Sequence, residues 1–299
     1  MSKQTRIQLL FGRKNELAKL LPVSREIALS ALSLDAKKDI TSQACIRNGK
    51  AKAFIIAQEK GVISGLSEAL AVLSPLKTKV LVKEGQTVKK GSILIEIEGS
   101  ILEILKRERT ALNYLQILSG IATETNKLVK KHGKRIASLR KSHPLLSLSE
   151  KRAVEAGGGF SHRLSLSDGY LIKNNHISAI AKEKNCKSRA HAVEIAIQRA
   201  LSARGNKRAF VEVEVESVPE AKSAAKTSVD AILIDNQTIA NAKKTVSAVR
   251  SVNKKVIIEA SGGITPKNIS SYLKTGCDFV SMSHLALKSR PLNLHLVVR

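Results

Sequence analysis

Two textures of apolar and polar positions meet near Gly133. Before it, apolar residues recur mostly at helical spacing. Lys14 to Leu34 carries them every three or four positions, and Pro22 breaks that run into two short helices. Asp39-Ile40-Thr41 reads as a loop, AKAFIIAQ and VISGL as a strand pair turning at Gly61, and LSEALAVL as a helix. Ile101 to Lys131 reads as one long helix, with Leu112, Leu115, Leu118 and Ile121 on its apolar face and Arg109 one turn ahead of Leu112. An arginine there either snorkels or is aimed at a partner.

After Gly133 strand and helix patterns alternate. Strands are expected at RIASLR, around YLIKN, and at FVEVEVE, AILID, VIIEA and FVSMS. Helices are expected at SEKRAVEA, HAVEIAIQRALSA, PEAKSAAK, IANAKKTVSAVR and PKNISSYLK. Repeated βα units with short loops predict a parallel sheet, and a run of this length favours a barrel over an open sheet. In a barrel the chemistry sits where strands end. Those ends are Arg140 and Lys141, then Lys173, Asn174 and Asn175, then Glu214, Asp235 and Asn236, then Glu259, Ser261, Gly262 and Gly263.

Within VEVEVES, Val211, Val213 and Val215 share one face of a strand and Glu212, Glu214 and Glu216 the other. A barrel strand has no solvent face, so these carboxylates need cations, and Lys141 and Lys173 are at hand. An edge strand with a solvated acidic face is the alternative. EASGGITPKN ends a strand, turns at Gly262-Gly263 and is expected to start a helix with Thr265 as N-cap and Pro266 at its first position. Its backbone amides would make a phosphate seat, although a plain βα turn has the same look. Ser147 and Glu150 read as a capping box. SHRLSLSDGYLIKNNHI follows Gly157-Gly158-Gly159 and crowds His162, Arg163, Lys173 and His176 together, as an anion site would; a basic surface loop is the bland reading.

Composition narrows the classes. At 299 residues with 43% hydrophobic and 25% charged positions, two ordinary domains with real cores are expected. Net charge is +26, from 51 Lys and Arg against 25 Asp and Glu, which attracts polyanions at long range without choosing among them. The lysines are spread without blocks or interleaved aromatics, so a dedicated nucleic-acid stripe is not expected. Cys45, Cys186 and Cys277 are far apart and odd in number, against a disulfide framework or zinc site. His132, His191 and His295 lack metal-like spacing. No apolar run reaches membrane-spanning length, and the cytoplasm is the expected location, with a cleaved transit peptide over the basic, weakly amphipathic Met1 to Leu21 as the alternative.

VLVKEGQTVKKGSILIEIEGS resembles half of a biotinyl or lipoyl carrier, but no second half with a modifiable lysine follows, and it is read as a local β element. A wider resemblance lies in RERTALNYLQILSGIATET, GGGFSHRLSLSDGYLIKNNHI, VEVEVES, ILIDN and EASGGIT. In this order and spacing they resemble the signatures of quinolinate phosphoribosyltransferase, from Asp39 onward.

The resemblance implies an α/β fold: an N-terminal α/β sandwich domain with the long connecting helix (residues 1–130), an incomplete, open α/β barrel of TIM-like type (131–290), and a tail (291–299) that returns to the N-terminal domain. It implies a homodimer or larger homo-oligomer, and a magnesium-dependent reaction of quinolinate with phosphoribosyl pyrophosphate giving nicotinate mononucleotide, carbon dioxide and pyrophosphate. It assigns quinolinate to Arg140, His162, Arg163 and Lys173, with Arg109 supplied across the dimer. Lys141 is placed near the phosphoribosyl ligand, Glu214 and Asp235 at the ribose and its magnesium, and Ser261, Gly262 and Gly263 at the 5′-phosphate. The chain departs from the family pattern at Ser138-Leu139, where Asp-Thr is usual, at Asn174 for Asp, at Ser283 for Gly, and at Ala286-Leu287 for Thr-His. A diverged relative acting on another aromatic acid, and a basic nucleic-acid binder without transferase activity, are the competing readings.

Overall fold

A computed structural model describes residues 3–205 and 209–299; Met1 and Ser2, the start of the basic N-terminal stretch, lie outside them. In chain order the helices are α1 (Lys3–Phe11), α2 (Lys14–Lys19), α3 (Leu21–Asp35), α4 (Ile40–Cys45), α5 (Leu66–Leu73), α6 (Ile101–His132), α7 (Ser147–Ala156), α8 (Asn174–Glu183), α9 (Arg189–Arg204), α10 (Val218–Ala225), α11 (Ile239–Val252), α12 (Ile269–Leu273) and α13 (His284–Lys288). The strands are β1 (Lys50–Ala57), β2 (Gly61–Val62), β3 (Lys77–Val80), β4 (Thr87–Val88), β5 (Ile93–Ser100), β6 (Ile136–Ala137), β7 (Gly169–Ile172), β8 (Phe210–Val215), β9 (Ala231–Asp235), β10 (Ile257–Ser261), β11 (Phe279–Ser281) and β12 (Leu294–Val298). They fall into two compact units, one holding residues up to Gly12, His132–Arg140 and Phe160–His284, the other Arg13–Lys131, Lys141–Gly159 and Leu285–Arg299.

The first unit is an open α/β barrel. Its strands run in the order β6-β11-β10-β9-β8-β7, every neighbouring pair parallel, and β6 and β7 do not close the ring. The strands bury side chains on both faces, as all six positions of β8 illustrate. Period-two alternation then sorts the lumen into layers. Phe210, Ala231, Ile257 and Phe279 open their strands and form an apolar floor with Ala137 and Phe160. Two residues on stand Glu212, Glu259 and Ser281, and two further on Glu214, Asp235 and Ser261.

Helix α1 seals the floor. Ile7 and Phe11 are fully buried there, the Phe11 ring lying 4.8 Å from Phe210 and 5.1 Å from Phe279. Lys3 pairs with Asp278 at 3.0 Å and Arg6 with Asp230 at 3.3 Å. The two units divide at Lys131/His132, and the N-terminal helix groups with the barrel because its two large apolar side chains complete a floor that an open ring of strands leaves uncovered.

The second unit centres on an antiparallel sheet, β12-β1-β5-β3, with β2 and β4 as a separate pair. Leu112, Leu115, Leu118 and Ile121 of α6 are buried. Leu294–Val298 of the tail pairs with β1, and the chain approaches α6 so closely that a Cβ at Gly120 would lie 2.2 Å from the Arg290 carbonyl.

Several local expectations are corrected. AKAFIIAQ and VISGL do not pair: β2 joins β4, and both hydrogen-bonding edges of β1 are taken by the non-local strands β5 and β12. Asp39 is a helix cap, not a loop residue; its carboxylate accepts from the Ser42 hydroxyl at 2.5 Å and from the Ser42 amide at 2.9 Å, capping α4, and these bonds hold its pKa below the usual value. Ser147 and Glu150 form no capping box. Leu146 is the N-cap, and the buried Glu150 instead engages the His143 ring at 2.5 Å and its backbone amide at 3.2 Å. Thr265 caps nothing; α12 starts after Asn268, whose side chain bridges the Thr265 amide at 2.8 Å and the Gly263 carbonyl at 3.0 Å.

Candidate active site

The C-terminal ends of the barrel strands carry the cluster. Following β6, Arg140 is exposed. Arg163 enters from the loop before β7, is only 7% exposed, and sends a 3.4 Å hydrogen bond to the Gly169 carbonyl. Its pKa is lowered, first by burial and then by the charge of Arg140. Two guanidinium groups held near each other, one of them desolvated, favour an anion between them.

Lys173 ends β7 and reaches Glu214 at 3.4 Å; the lysine side chain is 51% exposed and the carboxylate 8%. The Glu214 pKa is raised, mainly by burial; Lys173 opposes the rise and Asp235 adds to it. Glu214 and Asp235 thus form a like-charged pair facing one cation. Glu216, just past the end of β8, is exposed and accepts from the Asn174 side chain at 2.6 Å. Asn174 also accepts from Arg189 at 3.1 Å, so the amide that stands for the family's aspartate both donates to one acid and accepts from one base.

The turn after β10 is fixed by close approach. Gly262 has φ +80°, and a Cβ there would meet the Asn236 side chain at 2.3 Å and the Asn236 amide nitrogen at 2.7 Å. Asn236 itself adopts φ +49° and donates its backbone N–H to the Ser261 carbonyl at 3.1 Å. Gly263 follows with φ +61° and open space beside it. Consecutive positive φ values turn backbone amides to one side, so the anion-binding character expected of this segment rests on the glycine turn rather than on a helix end.

His162, expected at a substrate carboxylate, lies against the acids of the middle layer. It is 3% exposed, has φ +56°, and turns its ring into the lumen. Nε2 lies 3.0 Å from Glu259 and 3.3 Å from Glu212, while Phe11 covers the ring at 4.7 Å. Burial opposes a charge at His162, while Glu259 and then Glu212 favour one, so the cluster as a whole draws a proton. A second ring proton has no place, however: the Arg163 backbone N–H points at Nδ1 from 2.9 Å and needs a lone pair there. The ring therefore keeps one proton, on Nε2. The proton that this acidic cluster attracts belongs to the carboxylate pair, and Glu212 is pushed up to about 7 by burial and then by Glu259. The same geometry speaks against a metal here, although the three residues offer ligand atoms within 4.8 Å of one another. An Nε2 lone pair for a metal would put the proton on Nδ1, against that amide.

Arg109, on α6, and Lys141 both belong to the second unit, and both are exposed. Sequence reasoning passed over Ser281 and set Glu259 among the strand-end groups, whereas it is fully buried one alternation step below Ser261. The available signal was an acid inside the apolar run VIIEAS.

A parallel barrel whose strand ends gather arginines, a lysine, paired carboxylates and a double-glycine turn defines an enzyme for phosphorylated or carboxylated substrates. Comparison with known proteins narrows that class. The family described as "Quinolinate phosphoribosyl transferase, C-terminal domain" matches residues 121–297, and its N-terminal domain matches residues 39–119. A probable nicotinate-nucleotide pyrophosphorylase (carboxylating) from Methanocaldococcus jannaschii is 40% identical over 273 residues, 87% of this chain and 92% of that protein. One from Methanothermobacter thermautotrophicus is 34% identical over 272 residues, 88% of this chain and 94% of its own length. The structure of the nicotinate-nucleotide pyrophosphorylase from Francisella tularensis superposes with a TM-score of 0.81 at 32% identity, covering 93% of this chain and 97% of that one. The chain belongs to the quinolinate phosphoribosyltransferase family.

Proposed function

We propose that this protein transfers phosphoribose from phosphoribosyl pyrophosphate to quinolinate and releases carbon dioxide, forming nicotinate mononucleotide and pyrophosphate for NAD synthesis. The observation that carries the reading is the pairing of a half-desolvated arginine cluster with the Glu214/Asp235 pair and the Gly262-Gly263 turn on one barrel rim. Quinolinate is a dicarboxylate, and Arg140, Arg163 and Lys173 offer the forked and point cations that grip two carboxylates. Arg109 is assigned to the site of a second copy in a homodimer or larger homo-oligomer, and Lys141 to the phosphoribosyl ligand. Ser261, Gly262 and Gly263 take the 5′-phosphate through backbone amides and one hydroxyl.

As pyrophosphate departs, positive charge grows on the ribose ring, and Glu214 and Asp235 stabilise it electrostatically. The pyridine nitrogen attacks C1′ from the opposite face. The resulting pyridinium stabilises the electron pair left on the adjacent ring carbon as its carboxylate departs as carbon dioxide, and a proton from water then completes the C–H bond there, without a protein nucleophile. The residues contribute position and field. Hard oxygen donors that share one site suit magnesium, and Glu214 and Asp235 would hold it, directly or through water; it would neutralise charge on the leaving pyrophosphate. Among the described residues no helix is long and apolar enough to cross a membrane, and the proposed location is the cytoplasm.

Release of carbon dioxide from carboxyl-labelled quinolinate, measured with magnesium and with or without phosphoribosyl pyrophosphate, tests the reading. Release that depends on phosphoribosyl pyrophosphate and collapses in Glu214→Ala and Lys141→Ala is expected. A folded protein that releases none would overturn it, and comparing nicotinate with quinolinate would show whether the acid has changed.

A further inference from the structure

The middle layer of the barrel joins two parts of the rim that the reaction uses separately. Glu259 is fully buried on β10 and receives two hydrogen bonds, one on each oxygen: Ser281 Oγ donates to Oε1, and His162 Nε2 donates to Oε2 at 3.0 Å. On one side, Ser281 stands 3.0 Å from the hydroxyl of Ser261, the first residue of the phosphate turn. On the other, His162, itself in the left-handed region, accepts the backbone N–H of Arg163 at Nδ1 from 2.9 Å. Two consecutive contacts on each side of one carboxylate therefore fix a hydroxyl at one subsite and the backbone of an arginine at another.

We propose that Glu259 is a positioning residue that sets both substrate subsites from beneath, Arg163 through His162 and Ser261 through Ser281. This rests on the functional reading above, in that Arg163 and Ser261 are taken to meet the acid and the phosphate. An acid accepts from both neighbours at once, which holds the Ser281 hydroxyl proton and the His162 Nε2 proton on the same carboxylate. An amide offers one acceptor oxygen and turns an N–H toward the other donor.

Glu259→Gln keeps the size of the side chain and is the decisive variant. Its KM is expected to rise roughly tenfold for both quinolinate and phosphoribosyl pyrophosphate, with a smaller change in kcat. Ser281→Ala removes only one arm and should raise KM for phosphoribosyl pyrophosphate alone. Nitrogen NMR of the histidines supplies a readout that needs no substrate: in the parent, His162 should show a proton on Nε2 and none on Nδ1 at neutral pH, and Glu259→Gln should disturb that signature. A proton on Nδ1 of the parent overturns the proposal. So does a folded Glu259→Gln with both KM values at the parent level, and so does a Ser281→Ala that raises both equally, since that is general loosening. A parent with the expected tautomer but no turnover would sink the functional reading, and with it the substrate roles assigned to the two arms; turnover with unchanged KM values in Glu259→Gln sinks only the positioning role.

Discussion

Phe210 and Glu214 lie on one strand at opposite ends of the barrel, and their surroundings differ in kind. At the floor, Phe11, Phe160, Phe210 and Phe279 meet within 4.8–6.4 Å at tilted or edge-on angles, and burial without direction suffices to hold them. At the rim, Glu214 is raised in pKa, Arg163 is lowered, and Asn236, Gly262 and Gly263 occupy left-handed backbone. The floor stores stability, and the rim spends some of it on keeping charges poised for ligands. The layer between, His162 with Glu212, Glu259 and Ser281, is buried like the floor and polar like the rim, so it passes the rigidity of one to the other.

Phe11→Ala breaks the comparison most severely. It empties a fully buried aromatic site and is expected to cost about 3–5 kcal/mol in denaturant unfolding. If the floor also steadies the rim, this variant loosens His162, whose ring Phe11 covers. Gly262→Ala comes next: its Cβ has no room beside Asn236, and kcat/KM for phosphoribosyl pyrophosphate should fall on the order of a hundredfold while the melting temperature changes far less. Lys173→Ala sharpens the contrast from the charge side. The pair it forms with Glu214 is half-exposed and contributes little to stability, about 0–1 kcal/mol, yet kcat/KM for quinolinate should drop about tenfold.

The pH dependence at Glu214 follows from its raised pKa. The ionised form needed at the ribose is reached only above the ordinary carboxylate value of 4.5, so the acid limb of kcat/KM should lie above that pH and disappear in Glu214→Gln. The smallest effect is expected on the outer helices of the barrel unit. Glu183, held by Arg199 on both oxygens at 2.8 Å, has its pKa lowered to about 2 from 4.5. A depressed carboxylate stabilises above pH 4.5 and loses that contribution as pH falls toward 2. Glu183→Gln should therefore melt barely below the parent at pH 6, and the gap should close toward pH 3.

The βα alternation after Gly133, the amphipathic face of α6 and the crowding of basic residues around His162 and Lys173 are local patterns, written in residue spacing and chain order. They determine a parallel α/β unit, a long helix and the family. The family motifs also place Arg140, Arg163, Lys173, Glu214, Asp235 and Gly262-Gly263, which come together at strand ends because parallel strands all finish on one side. What the spacing does not contain is the partner of each buried polar group, since that depends on which strands become neighbours. VEVEVES announced carboxylates in need of cations, but the folded barrel gave Glu212 a histidine from a loop 50 residues earlier and gave Glu214 the lysine. It turned His162 away from the rim, drew Phe11 from the far N-terminus into the floor, and set Ser281 beneath Ser261, because desolvated donors and acceptors are satisfied only by whatever the tertiary fold brings within 3 Å.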